Sequence, residues 1–346
     1  YIIYTGKTDV DSINDYIELH HHAILLGITV LTSLDTANAL CDIIASKFTE
    51  YNTELVDINN LRTKKTEISF VKMQSCGNDY IYFEDLDGKI TCPESLAVNF
   101  VDRHYGIGGD GIVLIERSDV ADARMRIFNQ DGSEGQMAGN SIRCVAKYLY
   151  EKGIVRKETM TIETLSGIRE VKVYSFGGIV TSASADLGEA VLDGEKIPSV
   201  WKGEKIVGQP MEIDGVTYHV TLVNMGNPHC IIFCDKVDDV PVETLGPRIE
   251  HSEYFPAKTN VEFIRVVNES TIKMRVWERG NGETWACGTG AAAAAVACVL
   301  NGLCKKDTDI TVKVKGGDLV AHYRSEDGHV ILTGNVEKVY EGTVEF

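Results

Sequence analysis

The chain has 346 residues, 44% of them hydrophobic and 25% charged, a length and balance that suit two or three domains with packed cores. Its formal net charge of -17 excludes a nucleic-acid footprint, because binding a polyanion calls for a basic surface. No apolar run reaches the roughly 18 residues of a membrane span; the candidate Ala23 to Leu31 falls well short.

Residues 1–60 read as a small separate α/β segment. In "AILLGITVLTSLDTANALCDIIASKF" a helix end gives way to a buried strand, a loop and a second helix capped by Ser33 or Asp35. His20, His21 and His22 fall on the surface of the first helix. No secretory leader is expected. Residues 61–67, "LRTKKTE", are polar and basic and are assigned as a linker. Beyond them the chain is dense in short β-branched runs with Gly turns, interrupted by two clear helices. The first starts near Gly139 and ends at Gly153; the second starts near Gly288 and ends at Gly302.

Shifting the chain by 149 positions superimposes its two halves. Gly77-Asn78 falls on Gly226-Asn227, Glu134 on Glu283, Gly139 on Gly288 and Gly153 on Gly302. The pattern is an internal duplication, which predicts two like lobes related by a pseudo-twofold axis. Such an axis brings both helix N-termini to one cleft. Their free N–H groups and positive dipole ends suit a carboxylate. The same shift places Ala138 opposite Cys287. A cysteine before a helix start is expected to have a lowered thiol pKa. Two thiols facing each other across one carbon would invert it, one removing a proton and the other delivering one. Here one of the two positions holds a methyl group.

The eight cysteines other than Cys287 suggest little chemistry. Cys41, Cys76, Cys92, Cys144, Cys230, Cys234, Cys287, Cys298 and Cys304 form no CxxC pair, so free thiols in a reducing cytoplasm are expected and no metal site is. Cys230 and Cys234 lie in an apolar, strand-like run and read as buried small hydrophobes. "GIGGDG" fits GxGxxG, but a strand rather than a helix follows, so it is read as a turn near the site. The Ala291–Ala295 run is read as close helix packing.

Residues 68–346 resemble the diaminopimelate epimerases. The stretches that carry the resemblance are "CGNDYIYFE", "RHYGIGGDGIVLIE", "IFNQDGSEGQMAGNSIRC", "NMGNPHC", "TNVEFI" and "ERGNGETWACGTGAAAA". The resemblance implies an α+β fold of two pseudo-symmetric lobes, each a curved mixed β-sheet or barrel around a central helix. Residues 68–182 with 334–346 would form one lobe and 183–333 the other. It implies cofactor-independent interconversion of LL- and meso-diaminopimelate, on the route to lysine and cell wall, and a homodimer. It implies Cys287 as one catalytic cysteine and Ala138 at the position of the other. Backbone N–H groups of Gly139, Asn140, Gly288 and Thr289 would hold the reacting carboxylate. Asn78, Asn129, Asn227, Asn260, Glu278 and Arg279 would read the amino groups and distal carboxylate. His229, in the "GNPH" loop, would tune the thiol, and Glu278 would join the catalytic group as well.

Ala138 is the departure from that pattern, and it leaves three readings open: an epimerase, an impaired relative that still binds diaminopimelate, or a racemase of another amino acid. Cys144 lies six residues further on, roughly 9 Å along the helix axis, and cannot stand in. Cys76 or an ordered water could. Residues 1–60 carry a separate resemblance, in "GITVLTSLDTANAL", to the closing half of the methylglyoxal-synthase-like domain of the large carbamoyl-phosphate synthase subunit.

Overall fold

A computed structural model describes residues 2–3, 10–31, 37–38, 40–41, 67–135 and 138–346. The chain divides into two units, residues 1–65 and 66–346. In the smaller one, β1 (Ile2–Ile3) pairs in parallel with β2 (Val30–Leu31), and α1 (Val10–Leu25) lies between them in sequence. The helix end and strand expected over residues 23–31 are present, and the histidine run lies on α1. The caps proposed at Ser33 and Asp35 fall outside the described residues. So does the proposed linker, except that Glu67 already belongs to the first strand of the larger unit.

In the first half of the larger unit the strands are β3 (Glu67–Ser75), β4 (Asn78–Glu84), β5 (Gly111–Glu116), β6 (Ala123–Asn129), β7 (Glu134–Gly135), β8 (Thr159–Thr164), β9 (Gly167–Phe176) and β10 (Ile179–Glu189). Helix α2 (Pro93–Phe100) follows β4, and α3 (Gly139–Glu151) follows β7. The second half repeats the order with β11 (Gln209–Ile213), β12 (Val216–Asn224), β13 (Pro228–Phe233), α4 (Val242–Glu250), β14 (Asn260–Asn268), β15 (Thr271–Glu278), β16 (Gly282–Thr284), α5 (Gly288–Leu300), β17 (Asp309–Val314), β18 (Gly317–Tyr323) and β19 (His329–Asn335). The last strand, β20 (Glu337–Glu345), returns to pair antiparallel with β3.

The pairings repeat as faithfully as the order. Strands β3/β4, β5/β6, β8/β9 and β9/β10 are antiparallel, while β4/β5 and β6/β8 are parallel. Strands β12/β13, β14/β15, β17/β18 and β18/β19 are antiparallel, while β13/β14 and β15/β17 are parallel. The antiparallel β10/β19 pair joins the two series. Strand β11 sits on β12 as β20 sits on β3. The offset of 149 is kept from β3/β12 (67 to 216) through both helices (139 to 288). It becomes 150 at β8/β17 (159 to 309), where the second half carries one extra residue.

The strands form one continuous sheet, and each central helix is wrapped mainly by the strands of its own half. Helix α5 is nearly all small or apolar, and Ala291 to Ala295 are fully buried, as close packing on every side requires. Both helices end alike. Gly153 and Gly302 take φ values of 70° and 69°, in the left-handed region. Ile154 N donates to Leu149 O and Leu303 N to Cys298 O, at 3.0 and 2.9 Å, closing a Schellman turn in each lobe.

Candidate active site

The two helix starts meet across one cleft. A Cβ placed on Gly288 would lie 3.3 Å from Asn140 Oδ1 and 3.6 Å from Gly139 Cα, so the α3 and α5 N-termini approach each other closely. The leading N–H groups of a helix have no partner within it, and the helix dipole adds positive charge at the same end. The cleft above them encloses about 640 Å³. Helix α3 contributes Ala138, Gly139 and Asn140, and α5 contributes Cys287, Gly288 and Thr289. Strand ends and turns contribute Asn78, Asn129, Asn227, Glu278 and Arg279.

The two helix caps differ. Cys287 is the N-cap of α5, and its Sγ accepts from Gly290 N at 3.3 Å and lies 3.6 Å from Thr289 Oγ1. Ala138 is the N-cap of α3 and offers no side-chain acceptor. The expected lowering of the Cys287 pKa is overturned. Burial, reinforced by the nearby Glu278 and Glu262 carboxylates, pushes this thiol well above its ordinary range. The Thr289 and Gly290 hydrogen bonds act in the other direction and are outweighed, because desolvation and like charge both oppose a thiolate. Burial likewise raises Glu278, which accepts from Thr284 Oγ1.

Two expected site residues do not line the cleft. Asn260 is buried beneath it, donating to Pro228 O at 2.9 Å and accepting from Arg279 N at 2.9 Å, so it holds the Arg279 backbone. His229 is fully buried, with Nδ1 2.6 Å from Glu262 Oε1 and Nε2 2.9 Å from Asn227 Oδ1. It therefore reaches the cleft through Asn227. Cys76 does not face the gap at Ala138. It is buried, and its Sγ points to Asn335 Oδ1 at 3.1 Å. Cys144 is also buried, with its thiol raised by desolvation to about 11.

Asp110, in the "GIGGDG" turn, accepts from Asn78 Nδ2 at 2.7 Å and so fixes one cleft amide. Among the described residues no three His, Cys, Asp or Glu side chains cluster to hold a metal ion, and no helix is long and apolar enough to cross a membrane. Sequence reasoning missed Tyr80, Arg169 and Glu189, which also line the cleft, and Glu262 behind it. Arg169 comes from the start of β9, far in sequence from the repeated motifs, and carried no local signal. Glu262 did carry one, as a single carboxylate inside the apolar run "VEFI".

Fold and relatives together define a class first, that of a two-lobed epimerase. The architecture matches that of a hydroxyproline epimerase from Agrobacterium vitis with a TM-score of 0.63, over 82% of this chain and 94% of that one, at 12% identity, which is a likeness of fold. The family model for diaminopimelate epimerase matches residues 70–192 and 221–339. The diaminopimelate epimerase of Desulfovibrio desulfuricans is 45% identical over 281 residues, covering 80% of this chain and 97% of its own length. That of Pelotomaculum thermopropionicum is 48% identical over 276 residues, covering 79% and 97%. The chain belongs to the diaminopimelate epimerase family. The family match begins at residue 70 and leaves the N-terminal unit to its own sequence.

Proposed function

We propose that this chain acts at the α-carbon of diaminopimelate by cysteine acid/base chemistry, without a cofactor. The observation that carries the reading is the contact between two helix starts, one capped by a thiol and the other by a methyl group. The α-carboxylate rests on N–H groups of Gly139, Asn140, Gly288 and Thr289. Arg279 offers a two-pronged donor to the distal carboxylate, and Asn78, Asn129 and Asn227 orient the rest. Asn260 acts through the Arg279 backbone.

Cys287 gives its thiol proton to the Glu278 carboxylate in the same cleft and, as thiolate, removes the α-proton. The electron pair of the broken C–H bond passes into the α-carbon and its carboxylate, where the two helix ends stabilise the growing charge. The Sγ–H bond then breaks to return a proton. With one thiol that proton comes back on the face it left, so the chain exchanges α-hydrogen with solvent faster than it inverts the centre. Loss of the second group lowers inversion by about 10²–10⁴-fold.

Proton NMR of LL-diaminopimelate in D₂O, with this chain and with Ala138→Cys, tests the reading. The expected result is α-proton loss with both proteins and rapid meso product only with the variant. Neither signal with either protein would overturn it. The methyl group of Ala138 also favours a second reading, a binder without turnover, which calorimetric binding together with no exchange would support.

Within the larger unit we assign residues 68–182 with 334–346 to the first lobe and 183–333 to the second; the bounds fall inside β10 and β19, the pair that joins the two series, and the return of β20 to β3 supports the assignment. A homodimer belongs to the same proposal, with sedimentation equilibrium as its test. A cytoplasmic location is supported by nine unpaired cysteines. For residues 1–60, the parallel β1/β2 pair with a helix between supports the α/β segment of the methylglyoxal-synthase-like reading.

A further inference from the structure

Behind Cys287 lies a carboxylate that the reaction above does not use. Glu262, on β14, is fully buried. Its Oε1 is 2.6 Å from His229 Nδ1, and its Oε2 has no hydrogen-bond partner among the described residues. A buried carboxylate with an orphaned oxygen is costly to keep.

The hydrogen bonds fix a proton count. His229 Nε2 faces Asn227 Oδ1, which only accepts, so Nε2 carries a hydrogen. The Nδ1–Oε1 contact at 2.6 Å needs one more proton, on the nitrogen or on the oxygen. The pair therefore holds one shared proton. A Cβ placed on Gly290 would lie 2.7 Å from Glu262 Oε1 and 3.2 Å from Cys287 Sγ, so carboxylate and thiol border the same side of Gly290. At the matching positions the first lobe has Tyr80, Val113 and Ser141, with neither imidazole nor carboxylate. Only the lobe that keeps its thiol carries the device.

We propose that Glu262 is a positioning residue for Cys287: through the proton it shares with His229, it governs when that thiol ionises. The inference rests on Cys287 as the acid/base of the proposed function, but not on the substrate. Other charged or titratable groups bear on the same place. Glu278 on β15 lines the cleft beside the thiol, Cys230 on the opposite face of β13 feels the Glu262 charge, and Asp110 of the first lobe acts on Glu278.

The test is the pH dependence of Cys287 alkylation by iodoacetamide, read by peptide mass spectrometry on the full chain, since the thiolate is the reacting form. Glu262→Gln keeps the shape and removes the negative pole. Its profile should move to lower pH by about one unit, a tenfold faster reaction at fixed pH. His229→Asn removes the shared proton and strands the carboxylate. Its profile should move the other way, again by about tenfold. The ¹⁵N shift of His229 Nδ1 in the unaltered chain should report a shared proton, and this stands even if a variant fails to fold. Unmoved profiles in both variants, or an Nδ1 with the shift of a bare, unbonded nitrogen, would overturn the proposal. Failure of the substrate reading would show instead in the diaminopimelate NMR experiment, with alkylation unaffected.

Discussion

The two lobes repeat each other down to single ion pairs and then diverge where chemistry is expected. Arg126 grips Glu134 through two bonds of 2.7 and 3.0 Å, and Arg275 grips Glu283 through two of the same lengths. Both pairs staple the short strand that leads into the central helix. Past that point the first lobe has Ala138, Asn140, Ser141 and Arg143 where the second has Cys287, Thr289, Gly290 and Ala292. Arg143 is fully buried, and its guanidinium donates to Gly139 O, Ser75 Oγ and Asn140 Oδ1 at 2.8–2.9 Å. The second lobe buries Glu262 instead. One side of the cleft is thus backed by a cation and the other by a carboxylate with its imidazole. The duplicated scaffold supplies identical N–H cradles; the division of acid/base equipment comes from side chains alone.

Breaking the chemical asymmetry should have the largest effect. Cys287→Ala removes the remaining thiol and should lower α-proton exchange, followed by NMR in D₂O, by about 10²–10⁴-fold. Next comes Arg143→Met, which keeps bulk but leaves three buried oxygens without their donor. A loss of roughly 3 kcal/mol in urea denaturation is expected, with weakened diaminopimelate binding as Asn140 loses its anchor. Gly290→Ala and Ser141→Ala then sharpen the contrast at one matched position. A methyl group on Gly290 would meet Glu262 Oε1 at 2.7 Å, so that variant should lose about 1–3 kcal/mol. Ser141 loses only its 3.0 Å bond to Ala138 O, and its variant should lose at most about 1 kcal/mol.

The smallest effect is on the pH dependence of stability. The folded chain holds the Cys287 proton more tightly than the unfolded chain, because its thiol is raised above the ordinary 9.0. That stabilisation is complete below about pH 9 and is lost as pH rises toward the folded value. Between about pH 8 and pH 10, Cys287→Ala should therefore show a shallower fall in its urea midpoint than the parent chain.

Much of this is legible in the residues alone. The repeat at 149, both helix starts, both glycine stops and the opposition of Ala138 to Cys287 follow from residue spacing, because the chain is one structural unit written twice. Motif residues next to the helix starts, such as Asn140 and Thr289, could hardly avoid the cleft. Asn260 and His229 were harder, since whether a strand residue faces the cleft or lies beneath it turns on a register that spacing leaves open. The direction of the Cys287 shift was misread for a related reason. A helix N-terminus is visible in sequence, but the burial and the two carboxylates that outweigh it come from strands 9 to 25 residues away.

A duplicated chain, two helix N-termini and one thiol where symmetry calls for two can be read from the residues, because these depend on order and local conformation. Which groups stand behind that thiol depends on packing in space. Glu262, His229 and Gly290 meet there because β13, β14 and α5 pack side by side, and the strength of a buried charge depends on what surrounds it in space.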